Sequence, residues 1–146
     1  MIRLTKEADY GIMLLALLAD RPVGEIHTAR RAAESSRLPL PMVSKILRTL
    51  ARAGLLTSHR GAAGGYSLNR PVGETTVADV LRAMEGPLSM VQCGSTPGAC
   101  EHESVCPTRL NWSRISEAVE NALTRVTIAE MTAPAHAPVT VQIEDR

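Results

Sequence analysis

Apolar residues run almost unbroken from Ile12 to Ala19, too short a run to cross a membrane, which predicts a helix buried on more than one face. Thr5 is placed to cap it, and Glu7 and Asp9 sit near the positive end of its dipole. Asp20-Arg21-Pro22 stops it, because proline disfavours helix at the residue before it. Thr28 opens a short Ala/Arg-rich helix, Ala29 to Ser36, which Leu38-Pro39-Leu40-Pro41 breaks. Pro41 suits the first position of a third helix, where its missing N–H has no intrahelical partner. In that helix Val43, Ile46, Leu47 and Leu50 recur at helical spacing and face inwards, leaving Ser44, Lys45, Arg48 and Arg52 outside. Gly54 ends it.

Two short strands follow, Leu55 to Arg60 and Tyr66 to Leu68, around the turn Gly61-Ala62-Ala63-Gly64-Gly65. Helix, break, helix with a basic outer face and then a hairpin is the pattern of a winged helix-turn-helix. The Gly-rich turn leads into a strand and lacks a Gly-Lys-Ser/Thr ending, so it is not a phosphate loop. Thr76 starts another helix reaching Glu85, with Thr76-Val77-Ala78-Asp79 as a capping box and Val77, Val80, Leu81 and Met84 as its buried stripe. Beyond Pro107, apolar residues at Trp112, Ile115, Val119, Ala122, Val126 and Ala129 alternate steps of three and four, a heptad seam that predicts a partner helix. The alternative is that this helix packs on its own domain. The pattern is mostly α with a small β-hairpin: a winged helix-turn-helix over 1–86, a cysteine loop over 87–107, a long C-terminal dimerisation helix over 108–131, and a disordered Pro/Ala-rich tail over 132–146.

Charge sharpens this division. Residues 1–70 carry eleven Lys and Arg against five Asp and Glu, a net of +6, whereas residues 71–146 carry five against ten, a net of −5. The basic half suits a polyanion such as double-stranded DNA. Phe is absent, so Leu, Val, Ile, Ala and Met must build the core. No targeting segment is convincing, and the expected location is cytoplasmic, where thiols stay reduced.

All three cysteines lie in one loop, Cys93, Cys100 and Cys106, spaced by six and five residues. An odd number argues against a closed disulfide framework. Zinc on three thiolates and His102 is an alternative, but structural zinc sites mostly use tighter Cys pairs. Wide single-cysteine spacing fits the separate irons of an iron-sulfur cluster better. A nucleophilic cysteine needs a positioned base, and His102 has no partner motif, so no enzyme and no small-molecule substrate are expected.

Several motifs together, Leu4-Thr5-Lys6-Glu7-Ala8-Asp9-Tyr10-Gly11, Arg60-Gly61-Ala62-Ala63-Gly64-Gly65-Tyr66 and three cysteines before a Trp-containing helix, resemble the IscR/NsrR family of iron-sulfur winged-helix transcription regulators. Ala83-Met84-Glu85-Gly86-Pro87-Leu88 and Asn111-Trp112 look most like the regulators of SUF-type cluster-assembly operons. The resemblance covers about Met1 to Met131. It implies a homodimeric repressor carrying a 2Fe-2S or 4Fe-4S cluster on Cys93, Cys100 and Cys106. IscR-like members take a fourth ligand from a His three residues after the last cysteine, and that position here is Arg109. NsrR-like members borrow an Asp from the first helix of the other subunit, which falls on Asp9, with His102 the next candidate. The expected DNA contacts are Pro41, Met42, Ser44, Lys45 and Arg48 in the major groove, Arg60 with Gly64 and Gly65 in the minor groove, and Thr5 and Lys6 on phosphate.

Overall fold

In the computed structural model, which describes residues 4–133, Thr5 opens helix α1 (Lys6–Leu18) by accepting the Ala8 N–H on its hydroxyl oxygen at 3.2 Å. The helix stops one residue into the expected apolar run's end, at Leu18, with Ala19 as cap. Its Ala8, Leu14, Leu15 and Leu18 are almost fully buried, and it touches α2 (Ala29–Ser36), α3 (Leu40–Arg52), α4 (Val77–Glu85) and α7 (Ile128–Thr132). An apolar surface with no polar side has to be covered all round, so α1 becomes the axle of the fold. Thr28 caps α2 through the Arg31 N–H, and Arg37 leaves that helix in the left-handed conformation at φ 55°.

Helix α3 begins at Leu40 with Pro39 as its cap, which makes Pro41 its second residue rather than its first. The cost is nil, because the first four N–H groups of a helix all lack intrahelical partners. Val43, Ile46, Leu47 and Leu50 are completely buried, as their spacing predicts. Gly54, at φ 78°, reverses the chain: its N–H bonds Ala51 O and the Leu55 N–H bonds Leu50 O, the paired closure of a Schellman end.

Strands β1 (Leu56–His59) and β2 (Gly65–Leu68) pair antiparallel, with Leu56 opposite Leu68 and His59 opposite Gly65. A third extended segment joins them where none is evident from the sequence pattern. His27 and Tyr66 exchange both backbone hydrogen bonds at 2.8 Å, which fastens the α1–α2 connection to the wing. A single bridging residue has no alternation to betray it.

Helix α4 carries the expected capping box, Thr76 with Asp79. After it come the short α5 (Gln92–Ser95), a run of turns, and α6 (Arg109–Thr124). The stretch read as one helix through Ala129 is divided in two. Helix α6 ends at Thr124, and the chain turns so that Val126 O accepts the Val77 N–H and the Ile128 N–H donates to Thr75 O, both at 2.8 Å. Thr127 then caps α7 in a second capping box with Glu130, whose carboxyl is held below its ordinary range by the Thr127 backbone and hydroxyl bonds. The seam's spacing ran on across this break because Val126 packs on the core and Ala129 belongs to the helix that Ile128 anchors there. Beyond Ala133 the expected tail lies outside the described residues.

Ile128 is fully buried although it follows α6. Ile128→Ala should therefore cost about 2–5 kcal/mol, read as a lower urea midpoint of the whole domain.

Candidate nucleic-acid interface and cysteine loop

Burying one face of α3 so completely turns its other face outwards. Pro41, Lys45 and Arg48 are exposed, and Met42 and Ser44 are half-buried beside them. Lys45 is braced by Glu7 in the first turn of α1, Nζ to Oε1 at 2.8 Å, while Arg48 carries no ion pair among the described residues. Arg60 is exposed where β1 leaves for the turn.

Gly64 and Gly65 have a structural reason to be glycine. A Cβ on Gly64 would lie 2.6 Å from His59 O, and one on Gly65 would lie 2.3 Å from His27 O. The turn closes only because these two residues present bare backbone. Thr5 is likewise occupied: its N–H and hydroxyl donate to Glu85 Oε1 at 2.8 and 3.0 Å, leaving Lys6 as the exposed cation at that end of α1. Neither the Thr5–Glu85 link nor the Glu7–Lys45 link follows from sequence spacing, since the partners are 80 and 38 residues apart.

The cysteines are free and half-buried, Cys93 within α5 and the other two in the turns after it. Glu103 organises this segment: it accepts the Gly98 N–H at 2.6 Å and pairs with Arg109 at 2.9 Å, its side chain mostly covered. His102 is exposed, and so is Asp9 on α1. Among the described residues no three His, Cys, Asp or Glu side chains are gathered closely enough to hold a metal ion. The loop is a chain of local turns, Ala99 to Thr96, Glu103 to Cys100 and Val105 to His102, and local turns keep the three thiols apart. The Thr108 hydroxyl, 3.4 Å from Cys106 Sγ, and then its backbone N–H, hold the Cys106 thiol below the ordinary range.

Residues 4–134 match the family described as "Rrf2: Iron-dependent Transcriptional regulator". The chain belongs to the Rrf2 family. Its reading head and wing are thus those of a transcriptional regulator, and the chain is no enzyme. It is 28% identical to Protein rrf2 of Nitratidesulfovibrio vulgaris (strain Hildenborough) over 130 residues, 89% of this chain and 87% of that one. Among solved structures it resembles CymR (YrzC), the global cysteine regulator of B. subtilis, with a TM-score of 0.68 and 27% identity over 91% of this chain and 98% of that one. It also resembles T. potens IscR, with a TM-score of 0.61 and 27% identity over 89% and 85%. The three thiols of the loop are free, and among the described residues they are not gathered at one point.

Because the thiolate is the reactive species, Cys106 of the reduced, metal-free protein should alkylate with iodoacetamide at a pH below that of an ordinary thiol. Thr108→Ala should move the midpoint of the pH–rate profile upwards, followed by mass spectrometry of the Cys106 peptide.

Proposed function

We propose that the protein is a homodimeric repressor that binds operator DNA through α3 and the wing and reports on iron-sulfur status through the cysteine loop, controlling SUF-type cluster-assembly genes. The observation that carries the DNA reading is α3 itself. Its apolar face is completely buried, so Lys45 and Arg48 project from a rigid helix with Arg60 at the wing base. Rigid presentation matters because base contacts need fixed side-chain geometry. Supporting the dimer, Trp112 and Ile115 of α6 stay 39% and 44% exposed, an apolar strip without cover in one chain. Two chains paired along it place their recognition helices about 34 Å apart, one DNA turn.

The iron-sulfur reading rests on the donor set, Cys93, Cys100 and Cys106, on the family's description as iron-dependent and on the likeness to T. potens IscR. A fourth donor comes from Asp9 of the other subunit, whose carboxylate has no hydrogen bond or ion pair among the described residues. A bound cluster supplies a centre whose presence depends on iron, sulfide and oxidants. The chain's own links carry the consequence. The loop is joined to α1 through Glu85 and Thr5, and to α6 through the Met90 N–H and Ser116 Oγ at 3.0 Å. Helix α6 in turn reaches the wing exit along Glu120, Arg82, Asp79 and Arg70. Gathering the thiols must rearrange these links, and a coupling of about 1–3 kcal/mol changes operator affinity roughly 5–150-fold.

The protein purified without oxygen should be brown, with iron and acid-labile sulfide. Cys93→Ala, Cys100→Ala and Cys106→Ala should each lose the chromophore, and Asp9→Ala should lose or destabilise it. A colourless protein with stoichiometric zinc overturns the sensing reading and leaves a zinc-stabilised DNA-binding protein. On an operator selected from random duplexes, Arg48→Ala and Arg60→Ala should each weaken binding by about 1–3 kcal/mol in a mobility-shift titration. Unchanged affinity removes those residues from the interface.

A further inference from the structure

A pocket of about 220 Å³ opens between the end of α1, the α1–α2 connection and α2. Its polar lining is Asp20, Arg21, His27, Arg31 and Ser35, over an apolar floor of Leu17, Leu18 and Ala32. That volume holds about seven waters, below the size of a drug-like ligand and suited to a small metabolite.

Three features distinguish it from a wet surface crevice. His27 is only 8% exposed, yet its imidazole has no hydrogen bond among the described residues. Neither ring nitrogen is buried without a partner, so both keep accessible surface that a polar ligand atom can reach. Burial itself holds His27 below its ordinary range; Arg31 and Arg21 push the same way against Glu25, so the ring is neutral at neutral pH and offers one donor and one acceptor. Secondly, Arg21 is already paired with Glu25 at 3.6 Å, whereas Arg31 has no ion pair among the described residues. Thirdly, Asp20 lines the same space and, among the described residues, has no ion pair either. A free guanidinium and a free carboxylate thus face one small pocket without meeting each other. Their natural complement is a molecule carrying both charges.

We propose that this pocket binds a small zwitterionic amino acid with a short aliphatic side chain. Its carboxylate lies on Arg31 and the His27 ring N–H, its ammonium group on Asp20, and its side chain on Leu17, Leu18 and Ala32. Each charged contact is a charge-assisted hydrogen bond, the stronger kind. The site has an outlet to the DNA-binding surface. The His27 backbone is bonded in both directions to Tyr66 of the wing, and Arg31 stands on α2, packed against α3.

Isothermal titration of the full chain with glycine, L-alanine and L-valine tests this, with acetate and ethylammonium as the two half-molecules. One saturable site per chain is expected for L-alanine or L-valine, with glycine weaker and each half-molecule weaker by on the order of tenfold or more. Arg31→Gln and Asp20→Asn should each cost a similar factor, while Arg52→Gln, exposed at the far end of α3, should leave binding unchanged. The His27 imidazole resonances should shift on titration, and the Tyr66 amide with them. The proposal is overturned by no saturable binding of any of the three amino acids, by binding that survives both Arg31→Gln and Asp20→Asn, or by acetate binding as tightly as L-alanine, which marks a plain anion site. Both variants are at exposed side chains, so neither should disturb the fold, and each decides the matter.

Discussion

The burial of α1 is the constraint on which the other elements depend. Its Leu14, Leu15 and Leu18 leave at most 2% of their surface exposed, and covering such a helix takes α2, α3, α4 and α7 together. At about 25 cal/mol per Å² of apolar surface, no alternative arrangement of these short helices recovers that free energy with one side of α1 left open. The position of the recognition helix follows directly. Helix α3 buries Val43, Ile46, Leu47 and Leu50 in the same core and is held by α1, α2, α4 and β1, so its orientation is set by the core.

The polar end of the same helix is tied to two other parts of the fold. Thr5 bonds Glu85 at the threshold of the cysteine loop, Glu7 bonds Lys45 on the recognition helix, and Asp9 stands exposed one turn along. These contacts are solvent-exposed, and exposed ion pairs are typically worth no more than about 1 kcal/mol. They are accordingly poor stabilisers: each can be exchanged for another polar contact at little cost, while the buried helix beneath them stays in place. The Arg70–Asp79–Arg82–Glu120 series is built the same way between the wing exit and α6.

Local signals were easily read. Thr5, Thr28 and Thr76 cap the helices their positions suggest, because capping is a matter of three adjacent residues. The α3 stripe was legible because four apolar residues at helical spacing have one physical use. Misreadings arose where two uses share one pattern. Val126 and Ala129 continue the α6 spacing, yet Val126 packs on the winged domain and Ala129 belongs to α7, since a heptad register says nothing of a turn and a fresh Thr cap in its midst. Gly64 and Gly65, expected at the groove-entering tip, carry a further constraint invisible in the sequence: a Cβ on either would run into His59 O or His27 O.

By itself, the amino-acid sequence determined the order of the helices and the hairpin, the basic outer face of α3, the concentration of thiols in one loop, and through them the regulator family. All of these are written within a few residues of one another or in charge and spacing along the chain. Only the tertiary structure decided that His27 bridges to the wing and lines a pocket, that Glu85 and Glu7 occupy Thr5 and Lys45, and that Ile128 closes the core. Those pairings join residues 38 to 80 apart, and what brings them together is the shared need of α1, α3, α4 and α7 to bury their apolar faces against one another.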